Sequence, residues 1–116
     1  MALAQKLRWI SVTVASGTDF VFNLGDEAAT LAKIQIPSGI ASTALTIKPA
    51  NNDASAYAQE YDNTNTLASE QTFTIAASRV YRIKPSDAAT IGPRFTLTCG
   101  STETAKTIWV AFRTYE

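Results

Sequence analysis

Hydrophobic and polar positions alternate with a period of two through much of the chain, most plainly between Leu31 and Pro49. Ala32, Ile34 and Ile36 alternate with Lys33 and Gln35, giving an extended segment one apolar and one polar face. Pro37-Ser38-Gly39 ends it, because proline lacks the ladder N–H and glycine accepts turn dihedrals. Leu45 and Ile47 then alternate with Thr46 and Lys48 up to Pro49, which stops a second strand. The same reading predicts further strands at Arg8–Ala15, Phe20–Leu24, Ser55–Tyr61, Thr72–Ala76, Arg79–Lys84, Arg94–Cys99 and Lys106–Tyr115, with Thr30–Ile36 and Thr43–Lys48 as the pair just described. Breaks fall at Ser16-Gly17-Thr18-Asp19, Gly25-Asp26-Glu27, Asn51-Asn52-Asp53, Asp62 to Asn65, Pro85-Ser86-Asp87, Gly92-Pro93 and Gly100-Ser101. The alanine pairs sit beside these breakers, so at most a helical turn is expected, near Asp87–Ala89. Many short strands with turns between them predict an all-β antiparallel sandwich or barrel.

Side chains two apart share a face. That parity assigns Ile10, Val12, Val14, Ile34, Ile36, Leu45, Ile47, Phe73, Ile75, Tyr81, Ile83, Phe95, Leu97, Ile108, Val110 and Phe112 to the core. It turns Leu7 and Trp9 outward on the first strand, and Trp109, Ala111 and Tyr115 outward on the last. If the first and last strands are neighbours, as in a jelly roll, these five residues form one apolar outer patch, a candidate protein–protein interface. The competing expectation is that Met1–Lys6, with Leu3, folds back over the patch.

One internal echo bears on topology. Ala41-Ser42 followed by Ile47-Lys48-Pro49 returns as Ala77-Ser78 followed by Ile83-Lys84-Pro85. Similar strands in two halves would suit a doubled Greek key, as in a jelly roll; coincidence in a chain rich in Ala and Ser explains it equally well.

Length and charge narrow the classes. A chain of 116 residues, 46% hydrophobic and 17% charged, is expected to form a single domain, residues 1–116, with a short N-terminal segment over 1–7. Ten basic and ten acidic side chains cancel, whereas nucleic-acid binding needs a surplus of Lys and Arg. A neutral surface suits a protein that lives packed against something else. The start lacks the apolar run of a signal peptide, and the longest apolar run, Ile108 to Phe112, is far short of a membrane span. The expectation is a protein made in a cytosol, with no membrane partner.

Chemistry is sparse. The chain has no histidine, so the commonest general base and catalytic metal ligand is missing and no Ser-His-Asp or Cys-His device can be built. The five glycines are scattered, which excludes a phosphate loop. Cys99 is the only cysteine and shares parity with Phe95 and Leu97, as a small buried hydrophobe would. Glu60 and Asp62 have the same parity, about 7 Å apart along a strand. With Asp53 and the flanking Asn51, Asn52, Asn63 and Asn65 they read as a solvated loop, with a weak calcium site or paired catalytic carboxylates as the alternatives. Arg79, Arg82, Lys84 and Arg94 gather charge around one strand, either as a polar outer face or as an anchor for a partner's carboxylates. No enzymatic activity, cofactor or metal is expected.

Leu24-Gly25, Leu31 to Pro37, Ala44-Leu45-Thr46-Ile47, Ile75 to Arg79, Ile83-Lys84-Pro85, Arg94-Phe95 and Gly100-Ser101 together form a pattern of strand endings. In this the chain resembles small β-sandwich proteins encoded among the virion genes of tailed bacteriophages, some of which are jelly-roll capsid cement, or decoration, proteins. The similarity runs from about Phe20 to Arg113 and is least over Asn51–Asn65 and before Trp9. The resemblance implies a two-sheet antiparallel sandwich of jelly-roll type with eight to nine strands. It also implies a structural virion protein on the capsid exterior, made in the cytoplasm of a bacterial host. Such a protein binds the outside of an icosahedral shell of HK97-type major capsid protein and reinforces it, often as a homodimer or other symmetric homo-oligomer, with Arg79, Arg82, Lys84 and Arg94 as charged contacts. A carbohydrate-binding module of a phage tail fibre or adhesin is the alternative, with Tyr57, Tyr61, Trp9 and Trp109 available to stack on sugars.

Overall fold

The computed structural model describes residues 5–25, 28–49 and 71–115. Strands dominate the described residues: β1 (Gln5–Asn23), β2 (Thr30–Gln35), β3 (Ala44–Pro49), β4 (Gln71–Thr74), β5 (Val80–Arg82) and β6 (Arg94–Tyr115), with one helix among them, α1 (Pro85–Ile91), before the last strand. All pairings are antiparallel. The six strands make one hydrogen-bonded sheet in the order β4-β3-β6-β2-β5, with β1 on the other side of β6. The all-β expectation therefore holds, as an antiparallel sheet curled into a half-barrel.

The long β1–β6 pair is the spine. β6 follows β1 from Tyr115 opposite Gln5 to Arg94 opposite Asn23. Its other edge is shared: β3 occupies Phe95 to Cys99, and β2 occupies Trp109 to Arg113. Between these halves the spine bends. Register shifts between Gly17 and Asp19 of β1, while the buried side of β6 changes from Phe95, Leu97 and Cys99 to Ile108, Val110 and Phe112. A change from odd to even positions needs an irregular residue in the strand, and Ala105 supplies one at φ 49°.

Curling brings the two ends of the sheet together. Phe73 of β4 and Tyr81 of β5 meet edge to face with ring centroids 5.6 Å apart, and the Tyr81 hydroxyl accepts the Ala76 N–H at 2.8 Å. Pro85 opens α1 at its first turn, where its missing N–H costs nothing, and Gly92 ends it at φ 78°. The helix lies against β2 and β3, burying Ala88 and Ile91.

One core fills the curl. Eleven of the residues assigned to it by parity are buried, from Ile34 and Ile36 through Phe95 and Leu97 to Ile108, Val110 and Phe112, while Ile10, Val12, Val14, Phe73 and Tyr81 pack against it partly buried. Phe20, Phe22, Leu24, Leu31 and Ile91 join them, and Phe22 stacks on Phe95 at 5.5 Å.

Four expectations about the elements need correction. Arg8–Ala15 and Phe20–Leu24 are one strand, because Gly17 and its neighbours make a bulge and not a turn. Arg94–Cys99 and Lys106–Tyr115 are likewise one strand. With these mergers the described residues form six strands; the strand expected at Ser55–Tyr61 lies outside the described residues. Gln5–Leu7 already belong to β1, so those residues are not a separate N-terminal segment. The helical turn is a two-turn helix. The echoed segments also differ: Ser42 is buried, whereas Ser78 sits exposed in a turn at φ 61°.

Candidate functional site

Neighbouring first and last strands, conditional in the sequence, are present: Leu7 faces Arg113, Trp9 faces Ala111 and Ser11 faces Trp109. β2 and β5 extend this outer face. One row across the strands reads Val80, Gln35, Trp109, Ser11, and the next reads Arg82, Lys33, Ala111, Trp9. Trp9 and Trp109 are diagonal neighbours on adjacent strands, about 7–8 Å apart at the backbone. The large hydrophobics that remain exposed among the described residues are Leu7 (46%), Trp9 (40%), Val80 (53%) and Trp109 (42%), and all four belong to this face.

Ala111, expected outward and part of the patch, has no exposed surface. It does lie on the outer side, but Trp9 and Lys33 flank it in register, and a methyl between two such side chains is covered. Tyr115 ends β6 opposite Gln5; its side chain, and Met1 to Ala4 with Leu3, lie outside the described residues. Val80 was missed because β5 is short and its register with Gln35 is not visible in sequence.

The other half of the sheet presents a different outer surface. Its row reads Thr72, Thr46, Thr98, Asp19, with the Thr46 and Thr72 hydroxyls 2.8 Å apart. Among the described residues the apolar patch is thus confined to one half.

Of the four cations expected to act together, Arg82 and Lys84 line one cleft, with Phe73, Tyr81 and Asp87, but the other two stand apart. Arg79 is exposed in the turn before β5, Lys84 precedes α1, and Arg94 begins β6 opposite Asn23, at the far end from the apolar face. Only Arg82 belongs to the face. There it joins Lys6, Lys33 and Arg113, which with Leu7 line an open cleft of about 350 Å³. Lys33 and Arg82 stand directly opposite each other on β2 and β5. A second cleft, of about 450 Å³, borders the same face beyond Trp109 and is lined by Gln35, Pro37, Ser38, Lys106 and Thr107.

Sequence reading also missed a buried carboxylate. Glu103, at the bend of β6, accepts the Ala41 N–H at 2.9 Å and the Ser42 N–H at 2.8 Å, and the Ser42 hydroxyl donates to it as well. The same hydroxyl lies 3.0 Å from the Ser101 carbonyl and accepts the Ser101 N–H at 3.1 Å. Burial acts to raise the carboxyl's pKa, but the donors at Ala41 and Ser42 and the charge of Lys106 outweigh it and hold it below the usual carboxylate range. An ionised carboxylate that accepts three hydrogen bonds is a clasp between the loop after β2 and the bend of β6.

Cys99 is buried beside this clasp, as its parity predicts. Burial pushes its thiol up; Ser42 pulls the other way, and the charges of Glu103 and Asp19 add to the rise. Since thiolate is the reactive form, the native protein should resist thiol reagents at pH 8 and react only on unfolding. Stoichiometric labelling in the absence of denaturant would contradict this placement.

Asp53, Glu60 and Asp62, the candidate calcium or catalytic carboxylates, and Tyr57 and Tyr61, the candidate sugar platform, lie outside the described residues. Among the described residues no group of three metal-ligating side chains forms a cluster, and no helix is long and apolar enough to cross a membrane. Compared with known proteins, the chain matches no family model, no curated protein and no solved structure.

Proposed function

We propose that the chain is a structural virion protein that docks through the outer face of β5, β2, β6 and β1 onto the outside of a phage shell of HK97-type capsid protein and bridges neighbouring subunits. The observation that carries this reading is that Leu7, Trp9, Val80 and Trp109, the large hydrophobics exposed among the described residues, share one sheet face. Contiguous apolar surface on a neutral chain marks an interface, and aromatic residues dominate interface energetics. The resemblance in strand endings supplies the class of partner. The work required is docking and not catalysis: a ligand that binds the assembled shell but not its loosened state stabilises the shell by mass action. The reading includes the finer architecture, a jelly-roll sandwich, in which β1 and β6 would run through both sheets. It places the protein on the virion exterior after synthesis in the host cytoplasm.

Truncating a hot-spot tryptophan costs about 2 kcal/mol or more, so Trp9→Ala or Trp109→Ala should reduce association more than about tenfold while the sheet stays folded. Sedimentation of each variant alone and with shells is the measurement. Wild-type occupancy and oligomeric state in both variants would remove the face from the mechanism; loss of a dimer without loss of shell binding would make it a homodimer contact.

The cleft beside Trp109 favours one other reading, a carbohydrate-binding module of a tail fibre or adhesin. An exposed indole next to Gln35, Ser38, Lys106 and Thr107 offers a stacking surface with polar neighbours. A glycan array on the purified protein separates the two, since shell docking predicts no saccharide ligand.

A further inference from the structure

We propose that the cleft formed by Lys6, Leu7, Lys33, Arg82 and Arg113 is a carboxylate-binding subsite, and that the protein partner on this face presents clustered Asp or Glu side chains beside apolar ones. The proposal rests on the docking reading above and names the chemistry of its partner.

Like charges directly opposite on adjacent strands are destabilising, yet Lys33 and Arg82 occupy such a pair. Arg113 lies on the same face, two residues along β6 from Ala111, the residue opposite Lys33. No carboxylate of the described residues pairs with Lys33 or Arg113: Asp19 lies in the other half of the sheet, Glu103 is engaged by Ala41 and Ser42, and Asp87, on α1, shares a separate cleft with Arg82 and Lys84. Among the described residues Lys33 and Arg113 thus have no carboxylate partner, and a partner's anion would supply one. Guanidinium groups suit carboxylates, which they bind in a bidentate fork.

The surroundings select a protein segment. Leu7 lines the cleft, and the row that contains Arg82 and Lys33 ends at Trp9, so an occupant meets cations and an aromatic surface together. A polyphosphate backbone would leave that apolar surface uncovered, and a chain of zero net charge lacks the surplus that nucleic-acid binding requires. A second copy docked face to face about a two-fold axis would bring this cation cluster toward its own copy. An acidic segment with apolar neighbours satisfies both halves of the surface.

Trp9 and Trp109 are the only tryptophans of the chain, so intrinsic emission reports on this face. The experiment is titration with a copolymer of L-glutamate and L-leucine, with inorganic polyphosphate in parallel, followed by sedimentation with shells. The copolymer should change the emission saturably and in a salt-dependent way, and polyphosphate should bind more weakly. Lys33→Glu and Arg82→Glu should each weaken binding at least about tenfold, while Arg79→Glu, the same charge change outside the cleft, should not. Lys33→Glu also places opposite charges across from each other, so it should melt no lower than the wild type while binding less. Unchanged emission, equal binding by the Arg79 and Lys33 variants, or equal binding of polyphosphate would overturn the subsite. If the copolymer binds as expected but wild-type protein leaves shells unbound, the docking reading fails and the subsite stands. If wild-type protein binds shells and Lys33→Glu and Arg82→Glu bind them equally well, the subsite fails and the docking reading stands.

Discussion

Phe95→Ala is expected to cost about 3–5 kcal/mol of folding stability, the range for removing a fully buried phenylalanine. Phe95 is wholly buried and sits near the start of β6, with Phe22 of β1 opposite on one side and Pro49 of β3 on the other. Three strands close on that ring. Its truncation opens a cavity lined by residues that β6 holds in register, so collapse around it is restricted. The stacked contact with Phe22 adds about 0.5–1.5 kcal/mol beyond area burial. Domains of this size are stable by about 5–15 kcal/mol, so the variant should be marginal at 37 °C. Urea denaturation checks this: the midpoint should fall with the slope unchanged. Phe95→Leu, which keeps most of the volume, should lose less than half as much. A loss below about 1 kcal/mol for the alanine variant would mean that the Phe22–Phe95 pair is peripheral.

Ile34 with Ile36 and Leu45 with Ile47 were legible in the sequence because a half-buried strand writes its burial as a period of two. Corners are less legible. The residues of a turn and of a bulge are the same types, since both need unusual dihedrals, and Ser16 to Asp19 therefore read as the end of a strand that in fact continues past Gly17. The bend in β6 did leave a trace: odd positions are apolar through Cys99 and even ones from Ile108, which records that the strand changes its buried side.

Most of the candidate site could not be read this way, because it is assembled across strands. The outward turn of Leu7, Trp9 and Trp109 followed from parity alone. The burial of Ala111 did not, since Trp9 and Lys33 flank it from strands remote in sequence. Nor did the cleft: a run of cations around Arg79 to Lys84 is visible along the chain, but the partners of Arg82 are set by the β2–β5 and β2–β6 registers. Glu103 left no signal, because its donors are some sixty positions away, at Ala41 and Ser42.

That carboxylate carries the second large effect. Glu103→Gln should lower stability by about 2–3 kcal/mol at pH 7, the scale of hydrogen bonds to a charged group in a buried site. The amide is nearly isosteric but cannot reproduce the pattern of acceptors. One carboxylate oxygen accepts the Ala41 N–H and the other accepts the Ser42 N–H and hydroxyl, so either orientation of the amide turns its NH₂ toward a donor. The loss should also depend on pH. In the folded chain the Glu103 carboxyl is held below its ordinary value, so below neutrality the unfolded chain takes up its proton first. The stabilisation is therefore complete above the ordinary glutamate pKa of about 4.3. It declines as pH falls from there through the lower folded value, and it is absent below that. Urea unfolding of both proteins between pH 7 and pH 3 should show the wild-type advantage shrinking across that window. Because the clasp fixes the bend of β6, the glutamine variant should also shift the emission of Trp109 on the strand beyond it. A difference between the two proteins that stays constant down to pH 3 would mean that Glu103 is not held as an ionised carboxylate, and that the bend is set by β6 packing alone.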